Sequence, residues 1–245
     1  MTAENPAILQ AQVGRQRPLA LTPAHLARVA RVVEKPDGPP RYSELSDDEM
    51  EHLAQQKLAE LQGGPFWIFA YGSLIWKPAL RSRSSSAASR MAGAGRSACQ
   101  CRRGGATPAN PGLMLALERC GACAGVAYLM ADNAPLECML QVLRREIASH
   151  VDVPWLRWLR VRAEGRVPRA LTFYCDPLND PDVIRLPLDQ QARILACAVG
   201  PGGSCAEYLH NTFVHLEALG IRDRYLWKLQ QMVAAEVDAL RADGG

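Results

Sequence analysis

The pattern of apolar and polar positions divides the chain into a strand-rich middle and a helical end. Short apolar runs bounded by turn residues are typical of buried strands. They predict strands at 66–71, 113–118, 123–130, 157–162 and 169–175. Apolar positions that return every three or four residues predict helices at 134–149, 188–198, 205–219 and 224–241. Because strands come first and helices dominate later, the order favours an α+β fold over a doubly wound sheet.

The pattern also separates a helical N-terminal extension, residues 1–64, from a main domain, residues 65–241. Thr22-Pro23 can start a short helix that runs through Val33. Ser46 and Glu49 have the spacing of a capping box, which predicts a second helix. That helix has an apolar face and ends at a glycine pair: Met50, Leu53, Leu58, Leu61 and Gly63-Gly64. We expect it to pack against the main domain.

Residues 80–106 depart from both patterns. Arg81 to Arg90 is a low-complexity string, and Gly93-Ala94-Gly95 follows without any aromatic residue. Strands are enriched in β-branched and aromatic residues, so neither pattern nor propensity predicts a strand here. Two interpretations stay open, a divergent loop or a stretch in which the gene is damaged.

Composition and charge narrow the class of protein. Hydrophobic residues make up 48% of the 245 residues, enough for a sizeable core. No apolar stretch reaches the ~20 residues of a membrane span. The polar start, Met1 to Arg15, does not resemble a signal peptide, so we expect a cytoplasmic protein that does not bind membranes.

The net charge of +3 is mild, but six arginines and no acidic residue lie between Lys77 and Leu117. Such a segment can attract anions. Since no aromatic residue lies between Trp76 and Tyr128, bases would find nothing to stack on there. We therefore interpret the segment as a solvated basic loop and expect no nucleic-acid partner.

Eight cysteines raise the question of a metal site. Cys99-x-Cys101 and Cys120-x-x-Cys123 together supply four thiols, the number that closes a tetrahedral zinc site. Cys-x-Cys is a poor match to the usual ligand spacing. We expect reduced thiols and no metal, with a zinc site as the alternative.

The segment Phe69-Ala70-Tyr71-Gly72-Ser73-Leu74-Ile75-Trp76-Lys77-Pro78 carries the most specific information. A strand breaks at Gly72-Ser73, where glycine lets the backbone turn where a side chain would clash. Loop amides after a strand can form a concavity that suits a carboxylate or an oxyanion. From composition alone the segment is an ordinary hairpin turn.

The full string resembles the glycine loop of the γ-glutamylcyclotransferases of the ChaC type. Further short motifs follow in the order of that family: Thr107-Pro108, Pro111-Gly112-Leu113, Gly125-Val126-Ala127-Tyr128, Arg145-Glu146, Leu186-Pro187-Leu188, Gly200-Pro201-Gly202-Gly203-Ser204, Glu207-Tyr208-Leu209, Asn211-Thr212 and Leu219-Gly220-Ile221-Arg222-Asp223. The resemblance spans roughly residues 20–235 and is specific as an ordered set.

The resemblance implies a small mixed β-barrel with helices around it, and a lyase-type enzyme. It implies glutathione as the small-molecule substrate, 5-oxoproline and cysteinylglycine as products, and no cofactor. Two departures matter. The family has an aromatic strand with a histidine where this chain has 80–106, and a tyrosine where it has Val151-Asp152-Val153.

Glu146 is the candidate general base, because it lies where the family's Arg-Glu motif places its catalytic carboxylate. On a helical wheel Glu146 lies at the edge of an apolar face, while Arg145 is expected to point the opposite way. Partial burial raises a carboxyl pKa and makes a better base. The alternative is a surface glutamate paired with an arginine. His150, one turn further on, is a possible proton partner or a solvated helix-end histidine.

The resemblance assigns the γ-glutamyl group to Tyr71, Gly72, Ser73 and Leu74, and places Tyr208 near the substrate. For Tyr71 the alternative is a core aromatic with a tethered hydroxyl, and for Tyr208 a helix residue packed on the barrel. We expect a monomeric enzyme. The alternatives are a non-catalytic binding or regulatory protein that lost pocket elements around 81–103, a cyclotransferase of other γ-glutamyl amides, and a zinc-binding domain.

Overall fold

The computed structural model describes residues 18–34, 42–78, 82–87, 91–101, 111–131, 133–147, 149–174 and 184–240, with the backbone alone for 82–87, 91–101 and 118–121. The helices are α1 (Pro23–Val29), α2 (Asp47–Ala59), α3 (Pro135–Glu146), α4 (Leu188–Cys197), α5 (Cys205–Ala218) and α6 (Arg224–Ala239). The strands are β1 (Trp67–Ala70), β2 (Ser82–Ala87), β3 (Met91–Cys101), β4 (Gly112–Cys123), β5 (Val126–Met130), β6 (Leu156–Arg160), β7 (Arg169–Phe173), β8 (Val199–Gly200) and β9 (Gly203–Ser204). The predicted α+β class is confirmed.

The described residues form two compact units. One contains α1, α4, α5, α6 and the β8–β9 pair, together with residues 98–101 and 111–115. The other contains α2, α3, and strands β1, β2, β5, β6 and β7. The predicted boundary at residue 64 stays a prediction.

The second unit is built on a five-stranded sheet with the order β2-β5-β1-β7-β6. Central strand β1 pairs antiparallel with β5 and parallel with β7, so the sheet is mixed. All four β1 residues are buried, which explains why its apolar run was recognisable. Strands β2 and β6 lie at the two edges. The described strands thus form an open sheet, and the expected barrel is not confirmed.

A cluster of buried side chains fills one side of this sheet. Trp67 and Phe69 of β1 pack with the buried small residues Ala127 and Ala170, and Tyr71 packs on the cluster margin. Helix α2 packs on α3, as expected for the second N-terminal helix. Its capping box is complete, since Ser46 Oγ accepts from the Glu49 N–H at 3.3 Å and Glu49 accepts from the Ser46 N–H at 2.8 Å.

The prediction that 80–106 contains no strand was wrong. Residues Ser82–Ala87 form β2 and Met91–Cys101 form β3. Strand β2 pairs antiparallel with β5, from Ser82 opposite Met130 to Ala87 opposite Val126. A backbone ladder needs a neighbouring strand and no particular side chains, so the pairing with β5 prevails over the weak propensity of a serine-rich segment.

The first unit is helical. Helices α4, α5 and α6 pack on one another, and α1 packs against α5 and α6. The residue before the α1 cap is held at both backbone groups: the Leu21 N–H donates to Gln230 Oε1 at 2.8 Å, and its carbonyl lies 2.9 Å from His210 Nδ1. Among the described helices, none combines the length and apolar character that a bilayer span requires.

Candidate active site

The glycine loop leaves the central strand of the sheet directly. Strand β1 ends at Ala70, and the chain passes through Tyr71 and Gly72 into a 3₁₀ turn, Ser73–Ile75. Gly72 has a φ of −134°, so a left-handed backbone is not what calls for glycine there. The side chains of Leu74 and Ile75 are buried under the turn. Leu74 can therefore meet a ligand only through its backbone.

Three consecutive amides of this loop have no acceptor in the described part of the chain. The recorded bonds of the turn begin with the Ile75 N–H, which donates to the Gly72 carbonyl at 2.9 Å. The N–H groups of Gly72, Ser73 and Leu74 precede it and donate to none of the described residues. Consecutive amides of this kind suit a developing negative charge.

Tyr71 is tethered to the sheet. Its hydroxyl donates to the Phe173 carbonyl of β7 at 2.7 Å, and its ring packs against the core cluster. This is the geometry of the alternative interpretation, a core aromatic with a bound hydroxyl. Contact of Tyr71 with substrate stays a prediction.

Glu146 is the last residue of α3, and Arg145 links it to the glycine loop. Arg145 Nε lies 2.9 Å from Glu146 Oε1, and Nη2 donates to Ser73 Oγ at 3.1 Å. Arg145 Nη1 donates to the Lys77 carbonyl. Sequence reasoning assigned the carboxylate and the loop separately, and one guanidinium brings them together.

The expectation that Arg145 points away from Glu146 was wrong. A helical wheel gives the direction of the Cα–Cβ bond and not the reach of a long side chain. At the last turn of α3 the arginine stem extends to the loop, and the guanidinium still contacts the neighbouring carboxylate. The Arg145-Glu146 motif was the available signal, but it carried no role for the arginine.

The environment of Glu146 opposes ionisation. Its side chain is 22% exposed, and burial raises the pKa of the carboxyl, while the charge and hydrogen bond of Arg145 act to lower the same pKa. A carboxylate whose pKa is raised is a stronger base than an ordinary surface glutamate. The surface-glutamate alternative is therefore right about the arginine partner but not about the exposure.

Tyr128 of β5 is a second residue of the site whose role was not predicted from the sequence. Its hydroxyl lies 3.4 and 3.3 Å from the carbonyl oxygens of Leu74 and Ile75 as a hydrogen-bond donor, and it thereby links the loop to the sheet. Burial raises the pKa of Tyr128 to about 12, which keeps the phenol protonated as a donor. The Gly125-Val126-Ala127-Tyr128 motif contained the signal.

His150 lies elsewhere. Helix α3 ends at Glu146 because Ile147 adopts an extended backbone, with φ −107° and ψ 101°. The helical spacing that would place His150 one turn beyond Glu146 is therefore lost. Its Nε2 lies 3.6 Å from Glu49 Oε1 of α2, and half of its side chain is exposed. Nearby Asp152 is buried and accepts from the Ser149 N–H at 2.9 Å.

Tyr208 lies on α5 in the first unit, partly exposed. Its carbonyl accepts from Thr212 Oγ1 at 2.8 Å. Its proposed position near the substrate stays a prediction.

The structure describes the side chains of four of the eight cysteines. Cys123, Cys138, Cys197 and Cys205 are present as thiols. The side chains of Cys99, Cys101 and Cys120 lie outside the described ones, so the zinc alternative is not tested. Among the described residues, no three His, Cys, Asp or Glu side chains group as metal ligands.

Comparison with known proteins identifies the family. The sequence model described as "ChaC-like protein" matches residues 66–236. The "Glutathione-specific gamma-glutamylcyclotransferase" of Escherichia coli (strain K12) is 33% identical over 162 residues, which covers 65% of this chain and 69% of that protein. The chain belongs to the ChaC-like family, as its ordered motifs predicted.

Two solved structures show the same fold. A selenomethionine-labelled γ-glutamyl cyclotransferase specific to glutathione from yeast matches with a TM-score of 0.62 and 22% identity, covering 70% of this chain and 96% of that one. A second structure of the yeast enzyme matches with a TM-score of 0.56 and 21% identity, covering 73% and 100%.

Proposed function

We propose that this protein is a γ-glutamylcyclotransferase that cleaves glutathione to 5-oxoproline and cysteinylglycine. The Escherichia coli relative is named for this activity. The observation that carries the proposal is the contact of Arg145 with both Glu146 and the glycine loop, which joins a largely buried carboxylate to amides that donate to none of the described residues. All of these residues lie within the part of the chain that the family matches.

In the first step the neutral α-amine of the γ-glutamyl group attacks the side-chain carbonyl carbon, and a five-membered ring closes. Glu146 takes the one proton that the amine nitrogen loses as the new C–N bond forms. Holding the glutamyl arm bent supplies the proximity that makes this attack fast. The amides of Gly72, Ser73 and Leu74 are the proposed donors to the oxyanion. One such donor is typically worth roughly 3 kcal/mol of barrier.

In the second step the original amide C–N bond breaks, and the carbonyl re-forms as 5-oxoproline. The leaving amine of cysteinylglycine takes up the proton that Glu146 accepted, so the carboxylate returns to its starting state. No water is consumed and no electron is transferred. Proton transfer and polarisation suffice for these two steps, so the proposed reaction needs no cofactor.

The same proposal covers the extent of the catalytic domain, the localisation and oligomeric state of the enzyme, and two residues of the substrate site. We infer that residues 65–241 form the catalytic domain, that the enzyme is a cytoplasmic monomer, and that Tyr71 and Tyr208 line the substrate site. Glutathione is proposed because the relatives are named for it.

The proposal is tested by incubating the purified protein with glutathione in H₂¹⁸O and analysing the products by mass spectrometry. Cyclisation predicts equal amounts of cysteinylglycine and of 5-oxoproline without ¹⁸O. A hydrolase would release ¹⁸O-labelled glutamate instead. Glutathione binding without turnover would contradict the proposal and favour a non-catalytic binding protein, whereas turnover of other γ-glutamyl amides alone would change the substrate.

A further inference from the structure

The Arg145 side chain uses all three nitrogens of its guanidinium on different partners. Nε meets the Glu146 carboxylate at 2.9 Å, Nη2 meets the Ser73 hydroxyl at 3.1 Å, and Nη1 meets the Lys77 carbonyl. The side chain is 20% exposed. These contacts connect the end of α3 to both ends of the segment Ser73–Lys77, which contains two of the three loop amides that donate to none of the described residues.

The neighbouring arginine shows that such an arrangement is not general on this helix. Arg144 is 56% exposed, its one ion-pair partner among the described residues is Asp47 of α2, at 3.3 Å, and Asp47 is itself 91% exposed. Exposed pairs of that kind contribute little to stability. Arg145 and Arg144 have the same side chain and adjacent positions, so Arg144 serves as a matched control.

Arg145 is the principal counter-charge of Glu146. Among the described residues, it is the one charged group that affects the ionisation of this carboxyl. On the elements packed against α3, Asp47 pairs with Arg144 and Glu49 pairs with His150. The Tyr128 phenol of β5 faces Arg145 and is neutral at ordinary pH.

We propose that Arg145 is a positioning residue of the reaction, which holds Glu146 as an oriented carboxylate and fixes the shape of the segment Ser73–Lys77. The inference rests on the proposed function for its effect on turnover. It also makes two claims that can be measured without turnover: Arg145 favours the ionised form of Glu146, and it orders the loop.

Lysine cannot replace this arrangement. An ammonium is a point charge on a flexible stem, whereas the planar guanidinium presents donors in a fixed fork. Arg145→Lys keeps the positive charge near Glu146 but cannot span the carboxylate, the hydroxyl and the carbonyl together. Arg145→Gln removes the charge and keeps a donor. The two variants therefore separate the electrostatic effect from the geometric one.

The first experiment measures kcat and KM for glutathione against pH in wild type, Arg145→Gln, Arg145→Lys and Arg144→Gln. For Arg145→Gln we expect kcat to fall about 10- to 100-fold at neutral pH, from the loss of charge-assisted hydrogen bonds. The acid limb of kcat/KM should move to higher pH. Arg145→Lys should keep the wild-type acid limb with a reduced kcat, and Arg144→Gln should match wild type.

A second measurement needs no turnover. The Glu146 carboxyl signal in protein labelled with [5-¹³C]glutamate is assigned by its loss in Glu146→Gln, and its titration is followed by NMR in each Arg145 variant. Hydrogen exchange reports the order of the loop amides. We expect the Glu146 carboxyl to titrate at higher pH in Arg145→Gln, and the loop amides to exchange faster in both variants.

Either measurement can overturn the inference. An unchanged Glu146 titration and unchanged loop exchange in Arg145→Gln would do so, even if wild type proved inactive on glutathione. A rise in KM with kcat and the acid limb unchanged would also do so, because it would make Arg145 a substrate ligand. If Arg145→Gln does not fold, Arg145→Lys with wild-type kcat and loop exchange would overturn the geometric claim.

Discussion

Gly125 allows a close backbone contact directly behind the glycine loop. It precedes β5, beside the end of β1, where Ala70 pairs with Val126. A Cβ at residue 125 would lie 2.1 Å from the Ala70 carbonyl oxygen and 2.9 Å from Cζ of the Phe69 ring. Gly125→Ala therefore perturbs the residue that immediately precedes Tyr71 and Gly72.

The loss of stability in Gly125→Ala can be estimated from the displacement that the new Cβ requires. Restoring a separation of 3.0 Å requires a displacement of 0.9 Å, and the obstacle is a strand carbonyl and not a flexible side-chain end. Overpacking a well-packed site costs about 1–3 kcal/mol. A weakened strand hydrogen bond adds about 1 kcal/mol. We expect Gly125→Ala to lower the free energy of unfolding by about 3 kcal/mol, and to reduce turnover even where the variant is folded.

Urea unfolding followed by circular dichroism measures the change, and Gly165→Ala is the control. Gly165 has a φ of +77° and nothing within 4 Å of a Cβ, so alanine there tests backbone conformation without a clash. We expect a loss of about 1–2 kcal/mol for that control. The close-contact reasoning is refuted if Gly125→Ala is within about 1 kcal/mol of wild type, or no less stable than Gly165→Ala.

Three further outcomes follow from the described contacts. Burial raises the pKa of Glu146 above its ordinary value of 4.5, so stability that is present below pH 4.5 is lost as pH rises through the pKa of the folded protein. Urea unfolding at several pH values should therefore show that Glu146→Gln becomes more stable relative to wild type towards neutral pH. A stability difference between the two proteins that does not change with pH would contradict this. Tyr71→Phe removes the 2.7 Å bond to the Phe173 carbonyl and should lower the free energy of unfolding by about 1 kcal/mol, with kcat/KM little changed if Tyr71 acts only as a tether. Gln230→Leu leaves the Leu21 N–H without its acceptor and should cost about 1–3 kcal/mol in thermal unfolding, whereas an unchanged Tm would show that the contact contributes nothing.

The sequence predicted the elements whose own side chains determine them. Strand β1 is buried on both faces, so its apolar run sufficed, and the capping residue Ser46 marked a helix start correctly. Strand β2 could not be predicted because its structure depends on pairing with β5, a neighbour that its own residues do not specify.

The candidate site shows the same limit. Ordered motifs indicated the loop and Glu146, but no spacing rule places Arg145 between them, because that contact depends on a long side chain at a helix end. The expectation for His150 assumed that α3 continues to residue 149. The chain leaves the helix at Ile147, and His150 meets Glu49 instead.

The role of Glu146 as general base is tested most directly by the rate of 5-oxoproline formation from glutathione in Glu146→Gln, with glutathione affinity measured on the same protein. Glu137→Gln, at an exposed position in the first turn of the same helix, is the matched control. We predict a loss of turnover of about a hundredfold or more in Glu146→Gln, since general-base catalysis typically contributes 10²–10⁴. Glutathione affinity should be retained, and Glu137→Gln should behave as wild type. Turnover in Glu146→Gln close to that of wild type would contradict the assignment of Glu146 as the base.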